Sequence, residues 1–428
     1  MNRISHLSLA LSVVGLLALS LALTVSVQPS ARAAGNIIKV PGDYPTIQAA
    51  IDTAADGDEI WVAAGDYAEN LSITKGITLS GGWDTGFTQR APGNSTINGR
   101  GLGRAISITC ATSATIVTLD GFTVQGGNAT GLGGAPERRS AAAEIPGYGM
   151  ELAPDPLTPA EHVARLRADL VGVVERGLYP GGSAAYRAML DRVQQQIARV
   201  EQAGAQPQAT KNPSQQGADC GGGIYSWNAS LHLLNSTLLG NVASLSGDGC
   251  GGGVFVGQSP PAGVLIRGNT LRQNIASAAP TALGHGGGMY AVQTPGLVVA
   301  GNLFQENAAM SAGLVSVGEG GGLFVEASPD VVVRDNQIVR NSANAGWESY
   351  GGLGGGAILR FADGATVAHN EFRENLGFVH AQGGGGGLAV VRSAQVAVFD
   401  NDVTGNWGGD IPEGSGRRGR WRDSPVAD

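Results

Sequence analysis

Residues 320–341 read GGGLFVEASPDVVVRDNQIVRN, and this stretch contains both halves of a repeat. A Gly triplet opens the stretch, and the motif Asn-Gln-Ile-Val-Arg-Asn closes it. The triplet occurs six times, before Ile224, Val254, Met289, Leu323, Ala357 and Leu388. Gly at regular intervals indicates a repeat architecture, whereas Gly spread at random is typical of disorder.

The closing motif has Asn or Ser first, an apolar residue third and Asn sixth. Its six copies begin 31 to 34 residues apart, at Ser236, Asn269, Asn302, Asn336, Asn370 and Asn401. Apolar residues alternate before each copy, as Leu231/Leu233, Val264/Ile266, Leu297/Val299, Val331/Val333, Ala365/Val367 and Val396/Val398. Alternation with a constant phase predicts short strands with one buried face, whose inward residues stack in columns.

The repeat length predicts stacked coils of three short strands, which is an all-β, parallel β-helix. Between one closing Asn and the next triplet lie 9 to 12 residues rich in Gly, Ala and Ser, which we expect to leave the coil as loops. Gly suits the corners because it accepts positive φ. Asn suits them because it tolerates left-handed backbone and can bond to the Asn of the next coil.

The N-terminal region, residues 34–128, fits the same fold. Pro41 to Ile51 predicts a short helix that ends at Asp56-Gly57 and covers the open end of the stack. Residues 59–62, 71–73 and 77–79 are predicted strands. The first coils of the β-helix therefore lie here.

Residues 1–33 are predicted to be a cleavable signal peptide. Arg3 precedes a long apolar core from Leu7 to Val27, and Ala31-Arg32-Ala33 is a small-residue cleavage site. The alternative is that the apolar run stays as an uncleaved anchor. Cleavage removes two basic and no acidic residues, which changes the formal net charge from −8 to −10. This charge argues against nucleic acid as a partner, and no transmembrane span is expected after cleavage.

Residues 129–219 interrupt the repeats. Two amphipathic stretches, about 159–176 and 183–202, predict a helical hairpin. Its position is where other repeats carry their loops, so we interpret it as an enlarged loop, and an independent domain is the alternative. The six repeats then fill residues 220–407, and residues 408–428 form a tail without apolar alternation.

These residues resemble two groups of known proteins. Pro41 to Leu79 resembles the opening of pectin-lyase-like right-handed β-helix proteins. Gly354 to Ile358, with Phe304 to Asn307 and Phe372 to Asn375, resembles the repeats of the polymorphic outer membrane protein family. The resemblance implies a right-handed β-helix at a bacterial cell surface or in secreted form, and a polysaccharide, a cell-surface glycan or a protein as partner.

Many pectin-lyase-like proteins cleave polysaccharides, so the resemblance also raises an enzymatic alternative. Gly284-His285-Gly286 matches a tripeptide of the polygalacturonase-type hydrolases, but the paired aspartates of that group are missing. The lyases of this group use calcium-binding acidic residues beside an Arg or Lys base, and the sequence shows no such set of residues. No cofactor is therefore expected, and calcium is the one ion that the resemblance leaves open.

The repeat register also aligns the residues that precede each triplet. Cys220 and Cys250 fall in adjacent coils, about 4.8 Å apart, which predicts a disulfide, with two buried thiols as the alternative. Cys110 is then the odd thiol. His285 and Glu319 also fall in adjacent coils. They are expected to form an acid–base pair or half of a metal site, and the alternative is a plain ion pair. Glu326 and Arg360 are expected to form a salt bridge.

Another column, two residues after each triplet, is largely aromatic: Tyr225, Phe255, Tyr290 and Phe324. Its neighbours on both sides are apolar and inward, so we expect this column to point outward and to stack on sugar rings. The alternative is that the hairpin or the long loops cover it. The favoured function is a non-enzymatic, exported protein that binds glycans or a partner. A polysaccharide lyase or glycoside hydrolase with a site near His285 and Glu319, and the structural stalk of an adhesin, are the alternatives.

Overall fold

Short parallel strands run through the part of the chain that the computed structural model describes. That part comprises residues 35–110, 116–134, 217–260, 263–279, 282–311, 317–344, 351–377 and 385–408. Every pairing between its named strands is parallel, and each strand pairs with its equivalent in the next coil. The predicted parallel β-helix is therefore confirmed.

Three sheets enclose the main coil in the described residues. Sheet 1 follows the Gly triplets and contains β4 (Leu71–Ile73), β7 (Ile106–Thr109), β11 (Ile224–Trp227), β16 (Val254–Gly257), β21 (Met289–Val292), β26 (Leu323–Glu326), β31 (Ala357–Arg360) and β34 (Leu388–Val391). Sheet 2 contains β1 (Ile37–Val40), β2 (Glu59–Ala63), β5 (Thr78–Trp83), β8 (Ile116–Asp120), β12 (Ser230–Leu234), β17 (Leu265–Arg267), β22 (Val298–Ala300), β27 (Val332–Arg334), β32 (Thr366–Ala368) and β35 (Ala397–Phe399). Sheet 3 contains β3 (Gly65–Tyr67), β6 (Ser95–Asn98), β9 (Phe122–Gln125), β13 (Thr237–Leu239), β18 (Thr270–Arg272), β23 (Leu303–Gln305), β28 (Gln337–Val339), β33 (Glu371–Arg373) and β36 (Asp402–Thr404).

Two further sheets form an arm between sheet 3 and the next triplet, where loops are expected from the sequence. Sheet 4 contains β14 (Val242–Ser244), β19 (Ile275–Ser277), β24 (Ala308–Met310) and β29 (Ser342–Asn344). Sheet 5 contains β10 (Asp219–Cys220), β15 (Gly249–Cys250), β20 (Leu283–His285), β25 (Val317–Glu319) and β30 (Gly351–Leu353). The chain thus leaves the main coil, turns, and returns to the triplet as a second strand.

Glycines of sheet 5 let the arm close. A Cβ added at Gly249, Gly284 or Gly318 would overlap a carbonyl oxygen of Ala276, Ala309 or Ala343 on sheet 4. Backbone therefore packs directly on backbone, which only a residue without a side chain permits. The four-residue pattern Gly-x-Gly-Gly, which overlaps the start of five of the six triplets, is the sequence signal for this packing; the first triplet has Asp219 in place of the leading Gly.

Single left-handed residues make the corners of the coil. The residue before each closing Asn has positive φ, for example Gln273 at 56° and Glu306 at 59°. The closing Asn residues themselves do not have positive φ, which corrects the expectation that they adopt the left-handed conformation. Their role is to hydrogen bond.

Two ladders of buried Asn side chains join the coils. Asn307 Oδ1 accepts bonds from both the backbone N and Nδ2 of Asn274, at 3.0 Å each. Asn307 Nδ2 donates to Leu271 O and to Asn341 Oδ1. The same pattern continues to Asn406 in this first ladder. The second ladder, formed by the first residue of each closing motif, runs from Ser236 to Asn401. The predicted Asn-to-Asn bonding is confirmed.

The apolar residues form two separate cores. The inner core lies inside the main coil and contains the predicted columns, such as Leu233, Ile266, Val299 and Val333, all fully buried. The outer core lies between the outer face of sheet 1 and sheet 5, and contains Cys220, Cys250, Phe255, Tyr290, Val292, Phe324 and Ile358. At the last described coil the inner column is open, because Val398 is 50% exposed whereas Val367 before it is fully buried.

The N-terminal region contains one described helix, α1 (Ile47–Thr53). Thr46 caps it by accepting a bond from Ala49 N, and Ile47, Ala50 and Ile51 join the inner core. Its role as a cover for the stack stays a prediction. No helix in the described ranges is long and apolar enough to cross a membrane. The signal peptide, the helical hairpin and most of the tail lie outside the described residues.

Candidate functional site

The predicted aromatic column points away from the inner core, but sheet 5 covers it. Phe255 and Phe324 are fully buried, and Tyr290 is 6% exposed. The rings stack in two pairs, with centroids 5.3 Å apart for Tyr225 and Phe255 and 4.9 Å apart for Tyr290 and Phe324, while Phe255 and Tyr290 are tilted by 54°. The expectation of an open aromatic row is therefore wrong, because the residues taken for loops return as strands over it.

Cys220 and Cys250 are joined by a disulfide between adjacent coils, with their Cα atoms 4.5 Å apart. The bond lies at the base of the insertion. There, Gly134 pairs with Asp219 in an antiparallel bridge, and Tyr225 Oη donates to Gly134 O. Arg104 adds bonds to Cys220 O and Gly133 O. Both described ends of the insertion are thus fixed to the arm and to sheet 1.

The predicted pair of His285 and Glu319 is also brought together. The two strands pair in register, and His285 Nδ1 lies 3.1 Å from Glu319 Oε2. The second oxygen of Glu319 accepts a bond from Arg360, whose other amino group lies 3.7 Å from Glu326 Oε1. Tyr290 Oη donates to Glu326, and the Arg360 guanidinium lies over the Phe324 ring. A five-residue polar network therefore crosses the outer core.

Burial and charge decide what this network can do. Burial alone would raise the pKa of Glu319, but the close contact with His285 and its charge, and then the charge of Arg360, lower that pKa to about 2. A carboxylate that stays ionised at neutral pH is a poor general acid, since that role needs a pKa near the working pH. Glu319 is fully buried and Arg360 is 2% exposed, so a substrate has no access to their ion pair. The geometry supports an internal ion-pair network. Within the described residues, no group of three or more metal-ligating side chains comes together.

An open groove lies at the corner between sheets 1 and 2. Its volume is about 560 Å³, and it is lined by Thr74, Thr109, Cys110, Trp227, Asn228 and Gln258. These residues come from four successive coils, so the groove runs along the axis of the stack. The volume falls within the roughly 300–1,000 Å³ of small-molecule sites.

The indole ring of Trp227 forms a flat surface in this groove. Its indole is partly exposed and lies parallel to Phe255, with an interplanar angle of 8°. The ring rests over Gly257 in the next coil, where an added Cβ would overlap it. Gly257 therefore gives the indole room to lie along the axis, with the outer core as its support.

Polar groups surround the indole. Asn228 and Gln258 occupy equivalent corner positions in adjacent coils, both with positive φ, at 55° and 48°. The Asn228 amide donates to Cys110 O, which holds its orientation. Burial, and then the charge of Asp56, raise the pKa of the Cys110 thiol, so the neutral thiol is no nucleophile at neutral pH. This chemistry suits recognition by stacking and hydrogen bonds.

The groove was not among the sites predicted from the sequence. The signal was available in the fourth residue after each triplet, which is Trp227 in one repeat and Gly257 in the next. A large aromatic residue beside a Gly in the same column indicates a ring that lies across the neighbouring coil. The contributions of Thr74 and Thr109 were hidden because they precede the first triplet.

The fold makes the chain a parallel β-helix protein. More specifically, residues 211–418 match the sequence model of a family described as "Right handed beta helix region". No curated protein sequence matches the chain.

Three solved structures are similar. PfbA, a surface adhesin of Streptococcus pneumoniae, is 14% identical and has a TM-score of 0.25, over 88% of this chain and 93% of that one. A polygalacturonase from Erwinia carotovora ssp. carotovora is 12% identical, with a TM-score of 0.23 over 88% and 95%. The A-module of the Azotobacter vinelandii mannuronan C-5 epimerase AlgE4 is 12% identical, with a TM-score of 0.19 over 87% and 97%. At these values the likenesses carry no functional argument.

Proposed function

We propose that this protein is an exported β-helix scaffold that binds a glycan in the groove beside Trp227. The observation that carries the proposal is the indole lying flat across two coils, with hydroxyl and amide side chains around it. An aromatic face packs against the apolar face of a sugar ring, and amides and hydroxyls exchange hydrogen bonds with its hydroxyl groups.

Export is part of the proposal. The disulfide between Cys220 and Cys250 supports it, because such bonds persist in oxidising compartments. The signal-like residues 1–33 support it independently. A bacterial surface or secreted location, with the finer resemblance to polymorphic outer membrane protein repeats, remains our interpretation of the sequence.

An enzymatic role gains no support from the two residues proposed for it. Glu319 is sealed in the outer core and held ionised by its partners. The groove, in turn, presents no carboxylate pair among its described lining residues, and hydrolysis of a glycosidic bond normally uses one. We therefore favour binding without cleavage.

The test measures binding and cleavage together on the full chain. Trp227→Ala should lower the affinity for a soluble glycan by about tenfold or more, as truncation of a central Trp does in other interfaces. Thr109→Val removes one groove hydroxyl at nearly constant shape and should weaken binding less. Phe361→Gly is the matched control, because it removes an exposed aromatic ring from the corner position equivalent to Asn228 in a distant coil, at a φ of 51° that Gly accepts.

Thermal unfolding establishes that each variant is folded before its affinity is compared. Unchanged affinity of folded Trp227→Ala for every bound glycan would rule out the groove as the site. Release of reducing ends by the wild-type chain would overturn the proposal of binding without cleavage.

A further inference from the structure

The groove beside Trp227 has a chemical character that bears on which ligands could fit it. Its six described lining residues carry hydroxyl, amide, thiol and indole groups, and none of them is charged at neutral pH. Uronic acid polymers carry a carboxylate on each sugar, whereas neutral glycans carry only hydroxyl and ether oxygens. A site for a uronic acid polymer must therefore compensate the charge of each carboxylate, whereas a site for a neutral glycan needs only hydrogen-bonding and stacking groups.

The nearest basic side chain in sequence is already occupied. Lys75 follows Thr74, but its ammonium donates to the carbonyl oxygens of Ile51, Asp52 and Ala54, at 3.1, 2.7 and 2.6 Å. An ammonium group has three protons, so these bonds use its donors and hold it against α1. Lys75 thus cannot turn to a carboxylate in the groove without losing bonds that join α1 to the first coil.

The local and the overall charge act in the same direction. Asp56 lies close enough to the groove for its negative charge to act on Cys110. The whole chain has a formal net charge of −8. Both repel a polyanion, and a carboxylate that lost water in the groove would find no cation among the described lining residues to compensate it.

We propose that the groove takes an uncharged glycan and rejects polymers of uronic acids. This inference rests on the proposed function and specifies its ligand class. Trp227 supplies the stacking surface, and Asn228, Gln258 and the two Thr hydroxyls supply neutral hydrogen bonds. Because no ion pair contributes, binding should be nearly independent of salt.

The experiment compares soluble neutral glycans (a β-glucan, a galactomannan and a xyloglucan) with alginate and polygalacturonate at low and high salt. The wild-type chain should bind at least one neutral glycan with an affinity that salt leaves unchanged and that Trp227→Ala lowers by about tenfold. Neither uronic acid polymer should bind in a Trp227-dependent way.

A charge-gain variant makes the test sharper. Gln258→Lys places an ammonium beside the indole and should create salt-sensitive binding of alginate or polygalacturonate. Asn94→Lys, at an exposed position outside the groove, is the control for added charge alone. It should leave the binding of both uronic acid polymers as weak as in the wild type.

The outcomes separate the two proposals. Stronger Trp227-dependent binding of a uronic acid polymer than of any neutral glycan would overturn this inference and leave the proposed function standing. No Trp227-dependent binding of either class would overturn both. Neutral binding with no uronic acid binding would support both.

Discussion

The inner and outer cores of this protein are built by different rules. The inner core repeats the same apolar positions in every coil, and Asn ladders close its corners. In the outer core, the residue before the triplet changes along the stack: two half-cystines are followed by a histidine, a glutamate and a leucine in the described coils. The inner core is held by periodicity, and the outer core by particular pairs.

This difference sets where the molecule tolerates change. A column of aliphatic residues accepts another aliphatic residue of similar volume with small cost. A buried ion pair does not, because removal of one partner leaves the other charged and unpaired. The outer core, which also supports the groove through Phe255 and Trp227, is therefore the more specific part of the fold.

The largest effect is expected from Arg360→Met. It leaves Glu319 and Glu326 buried without the guanidinium that lies between them, which should lower the free energy of unfolding by about 4 kcal/mol. Urea denaturation measures the change. Adding Glu319→Gln to the same chain should recover part of the loss, and a double variant no more stable than Arg360→Met would contradict the ion-pair account.

The matching change in the inner core is Asn307→Ala. It removes the acceptor of two bonds from Asn274 and two further bonds donated by Asn307 itself, at a cost of about 3 kcal/mol. Asn94→Ala, at an exposed position, is the control and should stay within about 0.5 kcal/mol of the wild type. A similar loss in both variants would show that the ladder adds nothing specific.

A smaller loss is expected where the arm closes. Gly318→Ala forces a methyl group against the carbonyl oxygen of Ala343, and the strands must separate at a cost of about 2 kcal/mol. Gly86→Ala is the control, because its added methyl would meet only ordinary contacts of 3.7 to 4.0 Å. Equal urea midpoints for Gly318→Ala and the wild type would mean that the arm does not pack as tightly as described.

The smallest effect is expected from mild acid. The pKa of Glu319 is lowered from the ordinary 4.5 to about 2, so its contribution to stability is complete above 4.5 and is lost as the pH falls towards about 2. Mild acid, at a pH just below 4.5, therefore removes only a small part of this contribution to stability. The difference in urea midpoint between the wild type and Glu319→Gln should shrink as the pH is lowered below 4.5, and a constant difference would contradict the assignment.

The main coil could be predicted from the sequence because its information is local and repeated. Columns such as Leu233, Ile266 and Val299 follow from alternation, and the register then places Cys220 beside Cys250 and His285 beside Glu319. The burial of Phe255 and Phe324 could not be predicted in this way. It depends on strands of two or three residues, too short for a periodic signal, that come back from apparent loops.

The groove was missed for a related reason. Trp227 is the single aromatic residue of its column in the repeats, so no periodicity draws attention to it. Its surroundings come from coils on both sides, including Thr74 and Thr109 of the N-terminal region, which is far away in sequence. A site of this kind is a property of neighbouring coils and not of one repeat.

The Asn ladders have a consequence for how such a chain changes its length. Each coil presents to the next the same amides, the same corners and the same strand register, so the inner core of one internal coil matches that of another. Joining Gly288 directly to Leu323 would delete one repeat and still bring matching inner-core columns together, although it would remove Glu319 from the outer core. The length of the β-helix therefore changes in steps of about 4.8 Å, one step for each coil. Duplication or loss of whole repeats can alter this length during evolution while the cross-section of the coil stays constant.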